Sequence, residues 1–434
     1  MMEWATVELA KVADLTGGHA FKSSEYSETG MAVLRTLNIR DDCSVDLSDP
    51  KYIPHVLVPA YERFALQKDD TLFVMVGATL GKVGLIRAKN LPALLNQNMW
   101  RIRAKPGKVD PMYLHYCFRH FCIGPLEWMS GSARGFVRRD DYRTLEIPLP
   151  SRSEQQQIAA ILGALDNKIE LNRRMSATLE EMARALYRSW FVDFDPVHAR
   201  ALGQSPAHMD PTTAALFPDS FGPDGLPKGW ASVPLLDVME LISGGTPKTS
   251  EPKYWGGDIP WASAKDVSQC GQSFLIGTER SITRAGLVKS STKIVPKFST
   301  VVVARGATTG RACMFGDDIA MNQTCYALQS RHGRPFFANC LFMNEVVGIT
   351  LAAHGSVFDT ITTKTLQATN VTAPTDALSQ AFEELVSPMF LETLNRTRES
   401  QTLATLRDTL LPRLMSGNLR IREAEKQVEE VVSA

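Results

Sequence analysis

The stretch WATVELAKVADLTGG, at 4–18, returns as WASVPLLDVMELISGG, at 230–245, an offset of 226. A chance echo fades after a few residues, whereas a duplicated unit keeps step to its end. Here the step is kept. VGATLGKVGLI at 76–86 meets RGATTGRACMF at 305–315, an offset of 229. NQN at 96–98 meets NQT at 322–324, an offset of 226, and Pro150 meets Pro374, an offset of 224. The doublet Gly17-Gly18 aligns with Gly244-Gly245 at an offset of 227. After each proline the chain turns strongly helical. The reading is therefore two copies of one plan, a globular block followed by a long helix.

Inside each block the local signals are strand-like. DTLFVMVG at 70–77 and STVVVARG at 299–306 are β-rich runs ending at glycine. KVGLIR and RACMF resume after ATLG and ATTG, which predicts a hairpin in each copy. PMYLHYCFRHF and PFFANCLFMNE predict short buried helices. Each block is mixed α/β.

Apolar residues at 158, 161/162, 165, 169, 175, 179, 182, 186 and 190 predict a heptad seam along the first helix. Ser153 and Gln156 fit a capping box at its start. The second seam runs through 382, 385, 389, 403, 406 and 410, with Pro412 and Gly417 as terminators. The predicted division is a block at 1–150, a helix at 151–192, an irregular linker at 193–229, a block at 230–374, a helix at 375–420 and a charged tail at 421–434. The second block begins where the first helix ends, so its helix can run straight back, whereas a parallel pair would need the linker to retrace that whole length; the two helices should pair antiparallel. The seam centres are polar, with Lys168 and Asn172 in one and Glu392, Arg396 and Glu399 in the other. Pairing about Asn172 and Arg396 would fix the register.

Composition bounds the partners. The 434 residues are 44% hydrophobic and 22% charged, as in ordinary globular proteins. No uninterrupted apolar run approaches the ~18–20 residues that span a bilayer. The opening MMEWATVELAK lacks the basic-then-apolar pattern of a signal sequence. Seven cysteines without a CxxC pair predict reduced thiols in a cytoplasmic protein with no membrane partner. Net charge is zero, yet residues 1–150 carry +2 and residues 229–374 carry +3. A polyanion would meet the blocks.

Catalytic motifs do not assemble. GATLGK at 77–82 is one residue short of a phosphate-binding loop, with Val83 where a magnesium-binding hydroxyl must stand. DIPW at 258–261 only brushes an amino-methyltransferase pattern, because Ile259 replaces its first proline. A nuclease pair around EPK at 251–253 would have Pro252 in its strand. His115, Cys117, His120 and Cys122 interleave on one short helix rather than forming the tight pairs of a zinc site. No catalytic, metal or cofactor residue is predicted in this chain.

Polar and basic side chains instead cluster at matching places. In the first copy they are Lys22, Ser23, Ser24, Arg35, Thr36, Asn38, Thr79, Lys82, Asn98, Arg134, Arg138 and Arg139. In the second they are Thr246, Lys248, Thr249, Ser263, Lys265, Arg305, Thr308, Arg311, Thr324, His354 and Ser356. Such side chains grip phosphates and read base edges. The frame persists while identities differ, as in two readers of different sequences. Asn96-Gln97 and Asn322-Gln323, kept in register, are better read as structural.

SEQQQIAAILGALDNKIELNRRM, LYRSWFVDFDPVHA, TAALFPDSF, GGTPKTSEPKYWGGDIPW and LRDTLLPRLMSGNLRI resemble the specificity (S) subunits of type I restriction–modification systems. The resemblance covers nearly the whole chain. It implies an α+β, pseudo-two-fold molecule of two target recognition domains on two antiparallel coiled-coil helices. It implies double-stranded DNA, two methyltransferase (M) subunits and restriction (R) subunits as partners, and a bipartite, asymmetric target. S-adenosylmethionine, ATP and magnesium would belong to the partner subunits. Three rivals stay open at this point: an S subunit of a methyltransferase-only system, a stand-alone DNA-modifying enzyme, and a coiled-coil assembly protein without DNA.

Overall fold

The computed structural model describes residues 4–77, 79–121, 139–353 and 360–432. The chain forms two compact units. One comprises Met1–Lys168 with Thr402–Ala434, the other Ile169–Gln401.

In the first unit, Ala13–Gly17, Met99–Ala104, Thr71–Val74 and Val83–Leu85 form an antiparallel sheet in that order. A second sheet places Met31–Leu34 between Lys51–Ile53, antiparallel, and Ala93–Leu95, parallel. The second unit repeats both and lengthens each by one edge strand. Its larger sheet runs Met239–Ser243, Cys325–Ser330, Thr300–Val303, Ala312–Phe315 and Phe274–Leu275. Its smaller sheet runs Arg280–Ile282, Trp255–Ala262, Ile319–Met321 and Ile294–Val295. The runs TLFV and TVVV are buried along their whole length, which explains why they read as continuous rather than alternating apolar strands.

The predicted hairpins form, with one turn geometry in both copies. Gly81 N donates to Val74 O at 2.9 Å, and Gly310 N donates to Val303 O at 2.9 Å. Gly77 and Gly81 have φ of 90° and 89°, and Gly306 and Gly310 have 104° and 88°. Left-handed backbone is what these glycines supply, so the resemblance to a phosphate loop is turn chemistry.

The glycine doublet aligns one residue differently from the sequence reading. A Cβ on Gly18 would stand 2.0 Å from Asn96 O, and one on Gly244 would stand 2.0 Å from Asn322 O. His19 N donates to Leu95 O at 3.0 Å and Gly245 N to Met321 O at 2.9 Å. Gly18 therefore corresponds to Gly244, and His19 to Gly245. The demand for glycine comes from a strand end passing closely over the NQ turn.

Each block is entered and left through a two-strand ladder. Thr6–Glu8 pairs antiparallel with Glu146–Pro148, and Ala231–Pro234 pairs antiparallel with Asn370–Ala373. Beyond the ladders lie helices Arg152–Phe191 and Asp376–Met415, of 40 residues each, or about 60 Å apiece. The capping box of the first is built two residues earlier than expected. Ser151 N donates to Glu154 Oε2 at 3.0 Å, and Glu154 N donates back to Ser151 Oγ at 3.3 Å. Ser151 directly follows Pro150, so the helix starts as soon as the chain leaves the proline.

The helices run antiparallel within each unit. In the first, Asp166 of the early helix meets Arg407 of the late one. In the second, Asn172 meets Arg396, and further along Trp190 meets Phe382, with ring centroids 5.6 Å apart. The seam itself is displaced from the expected one. Met175 and Met182 are exposed, and Ser176 and Ala183 are buried in their place. On the partner helix Leu385 is exposed while Val386 and Phe390 are buried. Closely approaching helices take small residues at contact points, and the longer methionines are turned outward.

Residues 421–434, expected as a charged tail, contain the helix Ile421–Val432, which buries Ala424. The linker carries two short helices, Asp195–Ala201 and Pro211–Ala215. Trp230, at the head of the second repeat, packs on Phe191 and Phe194. Helix Pro335–Ala353 is long and apolar enough by composition to cross a bilayer. Phe336, Phe337, Leu341 and Phe342 place it in the core of the second unit.

Candidate nucleic-acid interface

The polar candidates divide into those that hold the fold and those left on the surface. Asn38, a DNA-contact candidate by sequence, is buried and holds its own turn. Its Oδ1 accepts from Arg35 N at 2.8 Å and its Nδ2 donates to Asp46 O at 2.8 Å. The second copy uses Asp266 in the same place, accepting from Ser263 N at 2.8 Å. Ser263 Oγ donates to the same carboxylate at 2.6 Å, completing a capping box for helix Ala264–Gln269. Thr324 Oγ1 donates to Asn322 Oδ1 at 2.8 Å, and Thr246 Oγ1 donates to Gln323 Oε1. The NQ turns thus act in structure.

Several cations already have carboxylate partners. Lys82 Nζ is 2.8 Å from Asp41 Oδ1, Arg35 Nη2 is 3.4 Å from Asp49 Oδ2, and Lys265 Nζ is 2.7 Å from Glu279 Oε2. The Glu279 carboxylate raises the Lys265 ammonium above its ordinary pKa. Such exposed pairs hold weakly and can be exchanged for phosphate.

The exposed remainder is concentrated in one loop of the first block and two of the second. Lys22, Ser23 and Ser24 are exposed in the first copy, as are Lys248 and Thr249 in the second. At the hairpin tips Arg305, Thr308 and Arg311 are exposed, whereas Thr79 is partly buried. Thr36 and Asn98 are partly buried, and Arg139 is exposed at the start of helix Arg139–Arg143. Arg134, Arg138, His354 and Ser356 lie outside the described residues, as does Cys122.

Sequence reasoning missed an aromatic device beside the second copy's first loop. Trp255 Nε1 donates to Lys248 O at 3.3 Å and Trp261 Nε1 donates to Gly245 O at 3.1 Å. The two indoles meet edge to face at 5.1 Å, and the Arg280 guanidinium lies over Trp255, 3.5 Å from its centroid. The WGG tripeptide was the available signal, because Gly256 and Gly257 make a bulge possible.

No group of three or more His, Cys, Asp or Glu is placed to hold a metal among the described residues. His115 is buried, with Nδ1 3.2 Å from Thr71 Oγ1. Burial pushes its pKa down to about 3, which keeps the ring neutral and makes it a core residue.

Two like blocks, each closed by a ladder at the base of paired helices and each presenting basic, hydroxyl-rich loops, define a duplicated recognition scaffold. The chain belongs to the type I restriction modification DNA specificity domain family, whose model matches residues 1–181 and 227–380. That family is the DNA-recognition subunit of type I restriction–modification systems, which assemble it with other subunits.

Among its relatives, the type I restriction enzyme HindI specificity subunit of Haemophilus influenzae is 28% identical over 64% of this chain and 70% of its own length. The MjaIX specificity subunit of Methanocaldococcus jannaschii is 24% identical over 81% of this chain and 78% of its own. A crystal structure of a type I restriction-modification system S subunit from M. genitalium shares the fold. It matches with a TM-score of 0.57 and 15% identity over 95% of this chain and 96% of that one.

Proposed function

We propose that each block reads one half of a bipartite, asymmetric DNA target, and that the chain directs partner subunits to it without chemistry of its own. Two M subunits and the R subunits would assemble on the chain in the cytoplasm. S-adenosylmethionine, ATP and magnesium would be bound by those partners. The observation that carries the reading is the pairing of one frame with unlike side chains. Arg35 stands where the second copy has Ser263, Lys51 where it has Arg280, and His19 where it has Gly245. A repeat kept for stability alone has no reason to vary its polar side chains in this way, least of all at the exposed pair Lys51 and Arg280.

Coexpression with the cognate M subunits, followed by mapping of methylated adenines, tests the reading. A single two-part motif is expected. Purified chain alone should transfer no label from S-adenosylmethionine to DNA, and transfer would revive the stand-alone enzyme.

Phosphate contacts are separable from base contacts by salt. Lys248→Ala and Arg311→Ala should each weaken binding to every sequence alike and flatten the log-affinity against log-salt slope by about one. Lys82→Ala should change the slope less, because Asp41 already partners that lysine. Equal slopes for wild type, Lys248→Ala and Arg311→Ala would remove both from the interface.

A further inference from the structure

Arg280 is presented on an aromatic platform in the second block. Strand Arg280–Ile282 pairs antiparallel with Trp255–Ala262, and Arg280 lies opposite Trp261. The corresponding ladder of the first block sets Lys51 opposite Val33. Both copies therefore carry a cation at one position of one strand, but of different chemistry.

The platform is built by a bulge. Ile282 is the register partner of both Trp255 and Ile259. Gly256 has φ of 76°, and a Cβ on Gly257 would stand 2.6 Å from Ile282 O. The extra residues bring Trp255 back to the same strand edge, under Arg280. The guanidinium lies 3.5 Å from the Trp255 centroid and 5.7 Å from that of Trp261. Both indole N–H groups are spent on the backbone at Gly245 and Lys248, so the platform and the exposed loop carrying Lys248 and Thr249 form one piece. Glu279, the acidic neighbour, is taken by Lys265, and Glu251 by Lys253 at 3.1 Å. No carboxylate pairs with Arg280 among the described residues, and the residue is exposed.

We propose that Arg280 is a specificity-determining residue of the second block, donating its planar N–H fork to a guanine in the major groove. Stacking occupies the face of the guanidinium and leaves its hydrogen-bonding edge free and oriented. That edge matches guanine O6 and N7. A lysine in the same place, as at Lys51, is a point charge on a flexible stem, without the planar fork that stacks on the indole and is held side-on to O6 and N7. The proposal rests on the reading that the blocks recognise DNA.

The test is competition binding by the purified complex of the full chain with its M subunits. The competitors are duplexes that each change one base pair of the methylated motif. Wild type should discriminate at one G·C pair of the second block's half-site by about 5- to 150-fold. Arg280→Ala and Arg280→Lys should both lose discrimination at that pair and keep it elsewhere, and Trp255→Leu should lose part of it. Uniformly weaker binding with discrimination intact would make Arg280 a phosphate contact and overturn the proposal. Unchanged binding would overturn it too, as would loss of all binding by both Arg280 variants. Wild-type discrimination in Arg280→Lys overturns it whatever the alanine variant does. A wild-type complex that discriminates at no position would instead refute DNA reading by the blocks.

Discussion

Arg407→Ala is expected to cost the first unit about 3–5 kcal/mol, because it removes a buried cation and leaves a largely buried carboxylate without its partner. The Arg407 side chain is 6% exposed and that of Asp166 14%, with Nη1 and Oδ1 2.6 Å apart. Asp166 also accepts from Tyr116 Oη at 2.6 Å. Tyr116 lies on helix Pro111–Phe121 of the block, Asp166 on the first long helix and Arg407 on the second. Three elements thus meet at one carboxylate, far apart in sequence, and the polar contact fixes how the block sits on the helix pair in this unit. Arg407 also reaches Asp408, but that side chain is 53% exposed and also joins Arg119 at 3.0 Å.

The ranking follows from burial. Asp408→Ala should cost at most about 1 kcal/mol, while Arg407→Ala should lower the first unit's melting transition by roughly 6–20 °C. Replacing the pair together, as Arg407→Leu with Asp166→Leu, should recover most of the loss, since apolar packing substitutes well for a buried ion pair. Thermal melts of the three variants beside the wild type decide it. An Arg407→Ala loss no greater than that of Asp408→Ala would show that the pair does not carry the contact.

The duplication, the mixed blocks, the hairpins and the antiparallel helices were legible because each rests on a local or periodic signal. Asn172 and Arg396 were legible as a register point because polar residues inside an apolar period are conspicuous. Their contact is present at 3.1 Å, and Asn172 Nδ2 also donates to Glu399 Oε2 at 2.8 Å. What misled was hydrophobicity used as a proxy for contact. Met175 and Met182 outscore Ser176 and Ala183 on any apolar scale, yet close helix packing favours the smaller pair. Among the polar residues, Asn38 and Ser263 cap local structure, a role that sequence alone does not separate from base reading because both use the same chemical types. Arg280 was missed for the opposite reason. Its meaning lies in Trp255, 25 residues away in sequence, and only the bulge brings them together.

Exchange of the second block should rewrite one half of the methylated motif and leave the other untouched. Residues 230–374 leave and rejoin the scaffold at neighbouring points, since Ala231 pairs with Ala373 and Pro234 with Asn370. The block is an excursion closed at its base, so a graft from another member of the family meets two adjacent strand ends rather than two distant ones. The grafted block must also keep the contact by which it sits on the late helix. Phe336 N and Phe337 N donate to Glu383, at 3.3 and 2.7 Å, and Arg334 Nη1 is 2.8 Å from Asp376. Burial raises the Glu383 pKa despite those donors, so a donor block lacking backbone N–H groups there would strand a buried acid. With the junctions satisfied, each wrong base pair in the old half-site costs about 1–3 kcal/mol. Mismatches at two positions therefore suppress the old sequence by about 30-fold or more. Sequencing of methylated adenines in cells expressing the chimera with its M subunits reads both halves at once. The half-site of the unexchanged block should persist at full occupancy beside a new partner half. A change in both halves would show that recognition is shared between the blocks, and persistence of both would show that the exposed loops of residues 230–374 do not read DNA.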